Sequence, residues 1–206
     1  MMLQLLFRTI VTNYNNDVSI TERLWNEIEG AYSGKKRYYH NLQHLENMLR
    51  ELSSCKSSIA DYDTMIFALV YHDIVYKATA KDNEEKSADI AAKRLLEINY
   101  PIDKIELCRA HILATKSHHI TSYNDINLFT DADLAILGYD WPYYTEYFKQ
   151  VRKEYAIYPD FLYNPGRKKV LEHFLAMDSI FKTVIFKNKY EAVARLNIEK
   201  ELALLF

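Results

Sequence analysis

The stretch Ile66-Phe67-Ala68-Leu69-Val70-Tyr71-His72-Asp73 decides how this chain is read. Met65, Ile66, Leu69 and Val70 recur at helical spacing and predict a buried face on a helix running from about Asp61 to Tyr76. That run leads straight into an imidazole and a carboxylate. An ionised Asp at the end of so apolar a helix is costly to bury unless something cationic pairs with it.

Outward from this helix, the rest of the chain reads as helices too. Only four Gly and four Pro occur in 206 residues, which favours long helices over a turn-rich β fold. Leu3, Leu6, Phe7, Ile10 and Tyr14 predict an amphipathic first helix over 1–16, with neither the basic start nor the small-residue cleavage site of a signal peptide. Ser19-Ile20-Thr21-Glu22 reads as a capping box opening the next helix, which carries Leu24, Trp25 and Ile28. A third helix begins near Asn41. Asp82, with Glu85 three residues on, marks the start of another, and Pro101 the first turn of one reaching about Thr115. Residues 116–128 read as a polar loop, followed by a short helix from Asp131 to Leu137 that Gly138 stops. Asp131 reads as the cap of that short helix. Asp140 caps a helix with Pro142 in its first turn. An aromatic loop through Pro159 and Pro165 leads to two or three final helices over 167–206. The expectation is all-α: one compact domain, 1–206, with helix 1–16 packed on the core and the last helices completing the bundle.

Composition excludes several classes. Apolar residues at 49% and charged residues at 26% suit a globular chain, and no apolar run is long enough to span a bilayer. A net charge of −2 gives no pull toward nucleic acid or an anionic membrane, so neither is expected as a partner. Cys55 and Cys108 match no zinc or redox spacing and read as reduced thiols, consistent with cytoplasm by default. The 17 tyrosines suit half-buried crevice walls as well as cores.

The histidines are not evenly scattered. His40 and His44 stand at i and i+4, one helix face if that helix extends back far enough. Asp131 and Asp133 repeat, inside the apolar segment Phe129–Leu137, the question that Asp73 poses. Three helices thus each offer a His or Asp beside core residues. A divalent metal answers the burial cost, since imidazole and carboxylate are suitable ligands for Mn, Co, Ni, Fe, Zn or Mg. Two histidines and two carboxylates leave open positions, the form of a catalytic rather than a structural site.

At this point the sequence resembles the HD superfamily of metal-dependent phosphohydrolases. That signature is a His, then a His-Asp pair, then a later Asp, and His44, His72-Asp73 and Asp133 follow that order. The flanks Arg37–His44, Tyr71–Tyr76, Asp82–Ala88, Ala114–His118 and Asp131–Gly138, with Arg152–Tyr155, Gly166-Arg167 and Ala194–Asn197, look like one bacterial subfamily of predicted HD phosphohydrolases. The resemblance implies an all-α HD fold and one divalent ion held by His44, His72, Asp73 and Asp133. The Glu-Asp pair that follows the dyad in HD hydrolases of guanosine tetraphosphate is replaced by Ile74-Val75-Tyr76. His118 or His119 only partly matches the extra histidines of dinuclear members, which favours one ion over two.

The expected reaction is hydrolysis of a small phosphomonoester or phosphoanhydride, with a nucleotide-like substrate favoured. Asp73 and Glu84 are the catalytic candidates, Glu84 as general acid or base, although its place also suits an ordinary acid at a helix start. Arg37, His40, Lys116, His118, Arg152 and Arg167 are the candidates for holding substrate, the arginines because guanidinium binds phosphate bidentately. His111 and His173 read as structural, and His119 as solvent-facing. An HD-type di-iron oxygenase and a non-catalytic nucleotide- or metal-binding module stay open beside hydrolysis, as does a homodimer.

Overall fold

The computed structural model describes residues 2–205; Met1 and Phe206, the outer ends of the first and last expected helices, lie outside the described residues. Among the described residues the chain forms ten α-helices, two short 3-10 turns and no strand, so the all-α expectation holds. None of these helices is long and apolar enough to cross a membrane. The chain divides into two compact units, residues 1–130 and 131–206.

The first unit holds α1 (Met2–Thr12), α2 (Val18–Tyr32), α3 (Leu42–Ser54), α4 (Tyr62–Tyr71), α5 (Asn83–Glu97), α6 (Ile102–Ala114) and the greater part of α7 (Asn124–Leu134). Helix α4 is its centre. Every residue from Thr64 to Tyr71 is buried, which is why this helix has no polar face. It packs against α1, α3, α5 and α6. The Phe67 ring meets Phe7 at 6.0 Å and Tyr100 at 4.8 Å, both edge-on. Full burial of side chains of this size is worth roughly 1.5–3 kcal/mol each. Arg94 of α5 grips Glu27 of α2 through two bonds of 2.6 and 2.7 Å.

The second unit comprises the last turn of α7, a 3-10 turn Ala135–Gly138, α8 (Trp141–Glu154), α9 (Asp160–Ala176) and α10 (Val184–Leu204). Its buried polar centre joins three helices. Arg167 donates to Glu201 at 2.7 and 2.9 Å, and the Tyr144 hydroxyl donates to the same carboxylate at 2.5 Å. The Asn197 amide donates to the carbonyls of Leu137 and Tyr139, seating the 3-10 turn on α10.

Several boundaries differ from expectation, each for a contact that sequence does not display. Helix α2 is capped by Asp17, which accepts from the Ser19 N–H and hydroxyl, while Glu22 leaves the expected capping box to pair with Arg8. Asp82 stands at the N-cap of α5 but turns its carboxylate to Lys86 at 2.8 Å. The expected loop 116–128 yields its last five residues to α7. The Asp125 carboxylate accepts from the N–H groups of Ala60 and Asp61, and the Asn124 amide donates to the Ser58 carbonyl. These polar side chains dock a helix start instead of forming a loop. Asp131 therefore lies inside α7 and caps no helix: it accepts from the N–H groups of Lys182 and Thr183 and from the Thr183 hydroxyl, at 2.7–2.8 Å, and so holds the segment that leads into α10. Gly138 is not in the left-handed region. A Cβ there would come within 2.5 Å of the Tyr190 Cβ, so its glycine answers a close approach to α10. Helix α9 starts at Asp160 rather than near Arg167, with Pro165 on an exposed turn inside it.

Candidate metal centre

Helix α4 stops at Tyr71, so the expected continuation to Tyr76 does not occur and His72 is the helix C-cap. The His72 Nδ1–H donates to the Leu69 carbonyl at 2.9 Å. A carbonyl can only accept, so this bond puts the proton on Nδ1 and leaves Nε2 as the unprotonated nitrogen in the neutral ring.

His44 reaches the same point from the first turn of α3. Asn41 caps that helix, its side chain accepting from the N–H groups of Gln43 and His44. His40 precedes the cap, where the chain is extended, so the expected shared helix face with His44 does not form. The two rings are nevertheless neighbours, with centroids 5.8 Å apart.

The buried Nε2 atoms of His44 and His72 stand 3.3 Å apart. Ligands about 2.1 Å from one zinc-like ion, at tetrahedral angles, stand about 3–3.5 Å apart. The Asp73 Oδ2 lies 3.3 Å from the His72 Nε2 and 3.9 Å from the His40 Nε2. Imidazoles gathered beside a carboxylate suit a borderline divalent ion. Asp133 sits on the last turn of α7, in the second unit.

The support around the dyad is aromatic, as the crevice-wall reading of the tyrosines expects, but the sequence does not say which tyrosines form it. The Asp73 N–H donates to the Tyr32 hydroxyl at 3.1 Å, from the buried end of α2. Tyr76 stacks on the His40 ring at 4.1 Å, and Tyr39 packs against both His40 and His44 at about 5 Å. Arg37 donates to the carbonyls of His40 and Ile74, at 3.1 and 3.0 Å, and lies over the rings of Tyr32 and Tyr76. The buried Ser87 hydroxyl of α5 accepts from the Val75 N–H at 3.1 Å and holds the strap that follows the dyad. The 17 tyrosines were the only sequence signal of this wall, and nothing in the sequence ranked them.

The remaining candidates have their own surroundings. Glu84 is half-buried in the first turn of α5. His118 follows α6 with a left-handed φ of 53° and donates its N–H to the Ala114 carbonyl. Lys116 is exposed and pairs with Glu85 and the Lys81 carbonyl. In the second unit, Arg152 holds Asp160 and the carbonyls of Tyr155 and Tyr158, and Arg167 is committed to Glu201. Three of the four expected phosphate-binding cations thus spend their charge on internal carboxylates.

His111 is fully buried. Its Nδ1–H donates to the Leu107 carbonyl, its Nε2 has no partner, and burial holds its pKa below the usual histidine value. That agrees with the structural role expected of it. Lys182 is a cation that sequence did not single out. Its side chain is 4% exposed and its ammonium lies 3.5 Å from Asp131; burial pushes its pKa down, against the opposing charges of Asp131 and Asp133.

No protein-family model, no curated protein and no solved structure matches this chain.

Proposed function

We propose that the chain is a metal-dependent phosphohydrolase of the HD type, holding one divalent ion and acting on a small phosphorylated substrate. The observation that carries this reading is the 3.3 Å approach of the His44 and His72 Nε2 atoms, with an Asp73 carboxylate oxygen also 3.3 Å from the His72 Nε2. Two imidazoles brought nitrogen to nitrogen beside carboxylates form a set that a cation stabilises. The order His44, His72-Asp73, Asp133 supports the HD assignment.

His44, His72, Asp73 and Asp133 would hold the ion, which is Mn, Co, Ni, Fe, Zn or Mg in this proposal. When bound, such an ion polarises a phosphoryl oxygen and lowers the pKa of a water, the chemistry of phosphoester hydrolysis. The protein's own share is orientation. Leu69 holds the His72 tautomer, Tyr32 anchors the Asp73 backbone, and Arg37 ties the segment before α3 to the segment after the dyad. The His40 Nε2 lies 3.9 Å from the Asp73 Oδ2, which supports giving His40 the task of meeting a substrate oxygen. Glu84 is retained as general acid or base, His118 as a substrate contact, and cytoplasm as the location.

The test joins metal analysis of the purified protein to a panel of nucleotides and sugar phosphates scored for released phosphate with added metals. About one equivalent of divalent ion, and phosphate release that His72→Ala and Asp73→Ala abolish, supports the reading. Two irons with a visible absorption band overturn hydrolysis in favour of an oxygenase. Bound metal without turnover on any substrate leaves a binding module.

A further inference from the structure

A second site has Tyr76, whose ring stacks on His40, in its wall. A pocket of about 430 Å³ is lined by residues 31, 34–37 and 74–77, all within the first unit. That volume falls in the range of small-molecule sites, about 300–1,000 Å³. Four of its nine lining residues are Lys35, Lys36, Arg37 and Lys77, and none is acidic. The chain as a whole carries net charge −2, so this concentration is local.

These cations are not neutralised from within. Among the described residues, Lys35, Lys36 and Lys77 form no ion pair. Arg37 keeps its full charge, because its partners are two carbonyls and two aromatic faces. Two of its roughly five N–H donors are used in those bonds, leaving others for an anion. Lys116, Arg152 and Arg167 each sit against a carboxylate, so the contrast is chemical as well as positional. The C-terminal end of α2 accounts for some positive charge beside it, since helix ends attract cations. It does not account for Lys77, which arrives from the strap after the dyad, 40 residues further along the chain than Arg37.

We propose that this pocket binds a diphosphate group of a small anionic ligand. A single phosphate carries about two negative charges at neutral pH. Four cations in one concavity match a diphosphate better. Arg37 makes the pocket part of the dyad's support, because it lines the pocket and holds the Ile74 carbonyl beside Asp73. The proposal needs neither bound metal nor turnover, so it stands or falls apart from the phosphohydrolase reading.

Inorganic pyrophosphate is the probe, titrated calorimetrically into the full chain at low salt. Saturable binding is expected, weakened about tenfold or more in K36E/K77E, where two charge-assisted contacts are reversed. His72→Ala and the exposed control K149E/K187E should bind as the parent does. Orthophosphate should bind about tenfold more weakly than pyrophosphate. Circular dichroism checks each fold, and K36Q/K77Q replaces the charge reversal should that variant not fold. Loss of binding in His72→Ala with K36E/K77E unaffected puts pyrophosphate on the dyad and overturns the proposal. Equal loss in K149E/K187E reduces it to general charge, and equal affinity for the two anions removes the diphosphate assignment. No heat of binding at all also overturns it.

Discussion

At the scale of single residues, His72 does two jobs with two nitrogens. Nδ1 is spent on the Leu69 carbonyl, and Nε2 is left facing His44. His72→Ala and Asp133→Asn are each expected to cut bound divalent metal about tenfold or more, measured by elemental analysis after dialysis. Unchanged metal content in both would place the ion elsewhere. Tyr32 acts on the dyad from outside, through the Asp73 N–H. Tyr32→Phe keeps the buried ring and removes the hydroxyl that accepts from Asp73, so about 1 kcal/mol of stability should be lost in denaturant unfolding. Metal affinity should fall by less than in His72→Ala.

At the scale of elements, the ends of helices matter more than their middles. Asn41 caps α3 and so sets where His44 projects. Asn41→Ala is expected to cost about 1 kcal/mol, as other cap removals do, and to weaken metal binding because His44 lies in the turn released. Thermal melts with and without metal separate the two effects, and a metal-induced rise equal to the parent's would show that the cap serves stability alone. The 3-10 turn before α8 is held by contact with α10, and Gly138 is the point of closest approach. Gly138→Ala should destabilise by about 1–3 kcal/mol through overpacking against Tyr190. A neutral result in urea unfolding would mean that α10 gives way easily. Helix α7 shows why boundaries were the hard part to read. Asn124 and Asp125 carry loop-forming side chains, yet both are used on residues 58–61, more than 60 positions away.

At the scale of the whole molecule, stability should fall on the acid side in two stages. Burial holds the His111 pKa below the usual value of about 6.5, so its contribution is present above that value and is lost as pH falls through the folded pKa. Glu191 and Asp61 follow at lower pH. Burial pushes each carboxyl up, but backbone N–H bonds, with Arg195 for Glu191 and Lys104 for Asp61, outweigh it and hold both below the usual range. Their stabilisation is present above the unfolded pKa of about 4–4.5 and disappears as pH drops through the folded value. Melting temperature measured with a chelator present should therefore decline below about pH 6.5 and more steeply below about 4.5. His111→Leu should flatten the first stage alone; an unaltered profile would show that His111 does not carry it.

Sequence alone determined that this chain is helical, and it singled out His44, His72, Asp73 and Asp133 as candidate ligands. Helical spacing and the scarcity of Gly and Pro are local properties, and ligand chemistry belongs to residue type. Only the tertiary structure decided which cations keep their charge. Lys116, Arg152 and Arg167 look alike in sequence, and each is claimed by a carboxylate that folding brings within reach, while Lys35, Lys36, Arg37 and Lys77 are gathered with none beside them. The difference arises because folding supplies those partners, Glu85 and Glu201 from 31 and 34 positions away and Asp160 from the start of the next helix, and none of these pairings leaves a periodic trace in the sequence.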